Sequence, residues 1–205
     1  MSFKKYSLAA AVVLAMTAGS AMADDTAAAL PDTGTITFHG LVTNNTCKIS
    51  LDNKIDQDGN DFDVTLGTVE VKDFATQLDT ASTLGEKNFT LNLTECAGDT
   101  LTAATAQFDS WAGSSSTSNG MLVPPSNVEG AAANVNLVLS NNGNGSTDQV
   151  KIDQVNNLQI ATIKNGAADL FYRVAYIQGQ GWDATTNPVS AGVVQAQVAF
   201  TIAYQ

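Results

Sequence analysis

The amino-acid sequence predicts an all-β sandwich. Three observations carry that prediction: short apolar alternations of period two recur along the chain, Gly, Asn, Asp and Ser clusters separate them, and beyond residue 23 no long stretch has helical periodicity. The turn-rich spacing argues for a sandwich rather than a parallel α/β sheet.

The elements follow in chain order. Lys4 and Lys5 precede an unbroken apolar run from Leu8 to Met16, and small residues end at Ala21-Met22-Ala23. That order is a secretory signal peptide, and the run is about half the roughly 20 residues a membrane-spanning helix needs. Residues 1–23 are therefore set aside as a signal peptide, with Asp24 as the expected mature N-terminus, which leaves 182 of the 205 residues for one ordinary all-β domain and a tail. Residues 24–32 hold too little apolar content to pack and read as a tail. Strands are predicted at 35–42, 63–69, 87–94, 101–108, 134–139, 158–163, 170–177 and 193–204. The last is the clearest, because Val194, Ala196, Val198, Phe200, Ile202 and Tyr204 alternate with Gln195, Gln197 and Thr201, giving one buried and one wet face. Strand 87–94 repeats the pattern with Phe89, Leu91 and Leu93 and leads into Cys96. The segments 111–126, with Pro124-Pro125, and 141–148 read as long polar loops.

Composition narrows function. The formal charge is −11, and the signal segment holds two lysines and no acid, so the remainder stands near −13. Phosphate backbones repel such a chain, which excludes nucleic acid as an expected partner. Cys47 and Cys96 are the two cysteines, and in an oxidising compartment they are expected to form one disulfide. They supply half a zinc site, which the single His39 does not complete, so no metal or other cofactor is expected. Asp56-Gln57-Asp58-Gly59-Asn60-Asp61-Phe62-Asp63 looks like a calcium loop, but aligning Gly59 with the loop glycine puts Lys54 at the first ligand position and Thr65 where a bidentate Glu should stand. A nucleophilic triad lacks its base, since His39 lies in an alternating strand beside Phe38 and Gly40. Paired carboxylates for glycoside hydrolysis pass on composition alone, yet most acids sit in Gly/Asn-rich turns or strand ends, and catalysis is not expected. The Asn-x-Thr triplets at Asn88 and Asn92 fall inside a strand and receive no role.

Several segments carry a resemblance. They are Gly34-Thr35-Ile36-Thr37-Phe38-His39-Gly40-Leu41-Val42 before the first cysteine, Val64-Thr65-Leu66-Gly67-Thr68-Val69, Phe89-Thr90-Leu91-Asn92-Leu93 before the second, and Phe200-Thr201-Ile202-Ala203-Tyr204-Gln205 at the end. Tyr204 is penultimate, and Gly192 lies fourteenth from the C-terminus. With these marks in this order, the chain resembles a major fimbrial subunit of the type 1 family, a pilin of the chaperone/usher kind.

The resemblance implies an immunoglobulin-like sandwich that lacks its last strand and is completed by a donor strand from another subunit. A periplasmic chaperone first fills the groove, and at the outer-membrane usher the N-terminal segment of the next subunit replaces it. The expected organisation is signal peptide 1–23, tail and donor strand 24–42 and pilin domain 43–205. The donor residues would be Gly34, Ile36, Phe38, Gly40 and Val42. The acceptor edge would comprise Gly192, Val194, Ala196, Val198, Phe200, Ile202 and Tyr204. The implied role is a non-enzymatic shaft subunit of an adhesive surface fimbria. Its partners would be identical or related pilins, the chaperone and the usher. A minor adaptor subunit is the alternative within the family. A tip adhesin would carry a further domain, and only a short segment precedes Cys47. From another class, a secreted carbohydrate-binding sandwich remains open. So does a plainer reading of residues 33–42 as the domain's own first strand, because an intramolecular strand shows the same alternation.

Overall fold

The computed structural model describes residues 34–40 through their backbone, and residues 47–55, 61–97 and 101–205 in full. The segments read as signal peptide (1–23) and tail (24–32), Val42 and the acidic run 56–60 lie outside the described residues.

Twelve strands and one 3-10 turn, Val71–Phe74, make up the described fold. The strands are β1 (Gly34–Gly40), β2 (Lys48–Leu51), β3 (Phe62–Leu66), β4 (Leu84–Thr94), β5 (Ala103–Trp111), β6 (Ser115–Ser116), β7 (Leu122–Val123), β8 (Val135–Asn141), β9 (Gln149–Val150), β10 (Ala161–Thr162), β11 (Ala168–Gln178) and β12 (Val194–Tyr204). They form two sheets. One has the order β10-β5-β12-β1-β3, and the other runs β2-β4-β11-β8-β7-β6, with β9 also paired to β8. The all-β class follows from the alternation. Phe62, Val64 and Leu66 of β3 are buried while Asp63 and Thr65 are exposed, and β12 alternates in the same way until Ile202.

The facing sides of the two sheets meet in an aromatic centre. Tyr172 of β11 is fully buried. Its ring lies 5.0 Å from Phe108 of β5, edge to face, and 5.6 Å from Phe89 of β4, separations at which aromatic pairs add to area burial. Desolvation pushes the Tyr172 hydroxyl far above its usual pKa, so it stays neutral.

Cys47 and Cys96 are joined in a disulfide across a sequence separation of 49. Lys48 pairs with Thr94 at the end of the β2–β4 ladder, so the bond ties the ends of two neighbouring strands just beyond their last paired residues.

Several boundaries differ from the sequence reading for physical reasons. The strand expected at 63–69 stops at Leu66, where the chain turns toward the 3-10 turn. Within 111–126, read as a loop, β6 and β7 form a small hairpin whose Leu122 is buried opposite Leu137 of β8. Of 158–163 only Ala161–Thr162 pairs with β5. In that stretch Gln159 is 2% exposed and Ile160 is 60% exposed, the reverse of hydropathy. Gln159 is held inside because its amide oxygen accepts from Phe171 N at 2.7 Å and its Nε2 donates to Phe171 O at 2.7 Å. The side chain thus takes the place of a backbone neighbour and satisfies that residue's backbone polar groups.

Candidate functional site

Between β12 and β3 lies a slot one strand wide, occupied by β1 of the same chain. β1 runs parallel to β12, from Gly34 opposite Val194 to Gly40 opposite Phe200, and antiparallel to β3, from Gly34 opposite Leu66 to Phe38 opposite Phe62. Of the acceptor residues named from the sequence, Val194, Ala196, Val198 and Phe200 stand opposite β1, whereas Gly192 precedes and Ile202 and Tyr204 follow that register. Val194, Ala196, Val198, Phe200 and Ile202 are buried, and Tyr204 packs half-buried against the core. Gly34, Ile36, Phe38 and Gly40 hold register with Val194, Ala196, Val198 and Phe200, so the two alternations are in phase. His39, in the intervening set, takes register with half-exposed Ala199.

A glycine at position 40 has a physical reason. Phe62 and Phe200 stand on strands that β1 separates, yet their rings stack with centroids 6.4 Å apart. Two strand spacings amount to about 9.5 Å, so the rings must lean toward one another beneath β1. Gly40, paired with Phe200, adds no side chain to that crowded place.

The slot continues beyond Gly34 into a cavity of about 220 Å³ lined by Val69, Phe74, Tyr176, Val189, Gly192 and Val194. Burial raises the Tyr176 hydroxyl to about 12, so it is neutral and gives the cavity no acid–base group near neutral pH. Gly192 sits where two backbones touch. A Cβ there would lie well under 3.0 Å from the backbone of Gly130 to Ala132. Val193 N donates to Gly130 O at 2.8 Å and Ala132 N donates to Val193 O at 2.9 Å, locking the start of β12 against that loop.

Chemically the slot offers ladder hydrogen bonds on two sides and a row of apolar side chains beneath. That arrangement binds an extended strand with alternating apolar residues. The shifted carboxylates lie elsewhere. Asp79 is lowered chiefly by the Ser82 hydroxyl and Asp183 by the backbone N–H of Thr186, which are local turn contacts. Among the described residues no group of three or more His, Cys, Asp or Glu could hold a metal ion, and no helix is long and apolar enough to cross a membrane.

Sequence reasoning left parts of the site unassigned. The β3 wall was read as a strand without a role, with Val69 at its predicted end; Phe74 lies in the 3-10 turn, and Gly130–Ala132 and Val189 sit in loops with no periodic signal.

Residues 33–205 match the family described as Fimbrial protein. The chain is 32% identical over 184 residues to the major fimbrial subunit SMF-1 of Stenotrophomonas maltophilia, covering 83% of this chain and 92% of that one. It is 29% identical over 227 residues to a major fimbrial subunit of Haemophilus influenzae, covering 98% and 100%. Among solved structures, a type I fimbria protein of Burkholderia pseudomallei is 24% identical with a TM-score of 0.42, over 83% of this chain and 93% of that one. The CupB6 tip adhesin of Pseudomonas aeruginosa is 21% identical with a TM-score of 0.47, over 68% of this chain and 38% of the adhesin. The chain belongs to the fimbrial protein family. It is a structural subunit of a surface fimbria, with other pilins as its partners, and not an enzyme.

Proposed function

We propose that this subunit builds the shaft of an adhesive fimbria by donor-strand exchange, in which residues 33–42 of one copy enter the slot between β12 and β3 of the next. The observation that supports this most is the placement of β1. Among the described residues its ladder partners are β12 and β3, and no described strand precedes it, so it can leave without dragging another described element.

Exchange releases the strand from its own domain. Inside one chain β1 runs parallel to β12 and is tied to the domain through the link from Gly40 to Cys47. A strand from a second copy is free of that link and can enter in either direction, one that is antiparallel to β12 being parallel to β3. An empty slot would expose unpaired backbone and apolar surface and invite aggregation. A periplasmic chaperone that lends a strand after export, and an outer-membrane usher where the next subunit replaces it, meet that need. The donor residues are Gly34, Ile36, Phe38, Gly40 and Val42, and the acceptor residues are Gly192, Val194, Ala196, Val198, Phe200, Ile202 and Tyr204.

The experiment compares Gly40→Leu and Phe38→Ala, measuring chaperone complex and surface polymer for each. Gly40→Leu is expected to abolish polymer while leaving the chaperone complex intact, because the chaperone's own strand then fills the slot. Phe38→Ala is expected to weaken each joint by about 3–5 kcal/mol and give fibres that dissociate at lower temperature. Normal polymer from Gly40→Leu, or parallel loss of chaperone complex in both variants, would leave β1 as a purely internal strand.

A further inference from the structure

We propose that Asn165 is a site of spontaneous covalent modification, where the chain converts its own asparagine to aspartate and isoaspartate through the backbone nitrogen of Gly166. The chain has four Asn-Gly steps, at Asn119, Asn142, Asn144 and Asn165, and the fold leaves this chemistry open at the last of them.

The reaction needs water alone. The Gly166 nitrogen attacks Cγ of Asn165, a C–N bond forms, and the side-chain amide nitrogen leaves as ammonia, carrying the proton of the attacking N–H. A cyclic succinimide remains. Water then opens it: cleavage of the bond to Cγ gives aspartate, and cleavage at the backbone carbonyl gives isoaspartate, in which the chain runs on through the former side chain. Two groups must be free for the attack, the carboxamide to turn and the following N–H to approach it. Glycine suits the second position because no Cβ obstructs the approach.

The four steps differ in those two groups. Gly120 is buried, and its N–H donates to Thr117 O at 2.8 Å. The N–H of Gly143 donates to Ser146 O at 3.2 Å. Asn144 and Asn165 each open a two-residue hairpin turn of the same kind. Asn144 and Gly145 have φ of 50° and 81°, and Asn165 and Gly166 have 53° and 73°. Reciprocal backbone bonds close the turns, between Gly143 and Ser146 and between Lys164 and Ala167. Asn144 is nevertheless pinned, because its Nδ2 donates to Gln159 Oε1 at 2.7 Å and to Asp169 O at 2.8 Å. Asn165 is exposed, and among the described residues neither its carboxamide nor the Gly166 N–H has a hydrogen-bond partner. Breaking two hydrogen bonds before an amide can turn slows the step by about tenfold or more.

The place gives the modification a consequence. Gly166 O accepts from Cys96 N at 2.9 Å, so the turn is anchored to a cysteine of the disulfide. Isoaspartate adds a backbone atom just before that anchor, and either product adds a negative charge. Subunits in an ageing fimbria therefore become more acidic at the turn that joins β10 of one sheet to β11 of the other.

Purified subunit incubated in mildly alkaline buffer, which favours the deprotonated nucleophile, provides the test, with conversion followed by peptide mapping in the mass spectrometer and by labelling of isoaspartate. Conversion at Asn165 is expected to outrun that at Asn144 by about tenfold or more, and the two rates are expected to converge in urea, where neither turn persists. Asn165→Gln is expected to remove the early acidic species in isoelectric focusing, because glutamine would have to close a larger ring. Were that variant not to fold, the wild-type maps in buffer and in urea would still decide. Conversion led by another Asn-Gly step, equal rates at Asn144 and Asn165 in the folded protein, or a gap that persists in urea would overturn the proposal.

Discussion

Removing the segment before residue 43 is expected to leave a chain that unfolds at much lower denaturant and regains its midpoint when a peptide of residues 33–42 is added. β1 is flanked on both sides, with seven residues in register with β12 and five with β3. Its removal strips ladder partners from both walls and opens a trench floored by Phe62, Val64, Ala196, Val198 and Phe200, all buried in the intact chain. Side chains of the size of Ile36 and Phe38 contribute roughly 1.5–3 kcal/mol each on full burial. With the exposed walls added, the loss is on the order of 5 kcal/mol, a large part of a typical domain stability of about 5–15 kcal/mol. Urea unfolding followed by the fluorescence of Trp111 and Trp182, with and without peptide, measures it. Equal midpoints for truncated and complete chains would show that the slot needs no occupant.

The second large effect concerns the disulfide. Cys47→Ala/Cys96→Ala opens a loop with a sequence separation of 49, and the chain-entropy account assigns such a cross-link roughly 4 kcal/mol. The bond clamps the end of β2, a strand of four residues whose pairing partner among the described residues is β4, so the damage should begin there. The double variant is expected to lose about 4 kcal/mol of unfolding free energy and to be cleaved sooner near residues 47–51 in limited proteolysis. A loss below about 1 kcal/mol would mean that the unfolded chain is not restrained by the bond.

What was legible in the sequence follows from how each residue is buried. β12 and β4 bury one face against the core, so hydropathy alternates and both were found. β8 buries all seven of its residues, Asn136, Ser140 and Asn141 included, so its polar positions carry no sign of exposure and its end at Asn141 was missed. β2 is short and follows Cys47 without a turn signal, and β6 and β7 exist only because Leu122 docks on Leu137. Gln159 and Ile160 misled the reading of 158–163, since a glutamine that satisfies the backbone of Phe171 is buried where an isoleucine is not.

The groove was half legible. The in-phase alternations of β1 and β12 and the position of Gly192 were visible as pattern. That β3 forms the second wall, and that Gly192 presses on Gly130–Ala132, depends on contacts distant in sequence. Alternation also does not state whose slot a strand fills, because pairing within a chain and between chains has the same period. In the single chain β1 fills its own slot, and its passage to a neighbour is the step proposed to build a fibre.

A denaturing gel of fibres sheared from the cell surface, loaded with and without boiling, tests that step most directly. The expected result is a ladder of subunit multiples that survives detergent at room temperature and collapses to one band on boiling, as strand-exchanged joints require. A single monomer band in the unboiled lane, from cells that visibly carry fibres, would contradict donor-strand exchange.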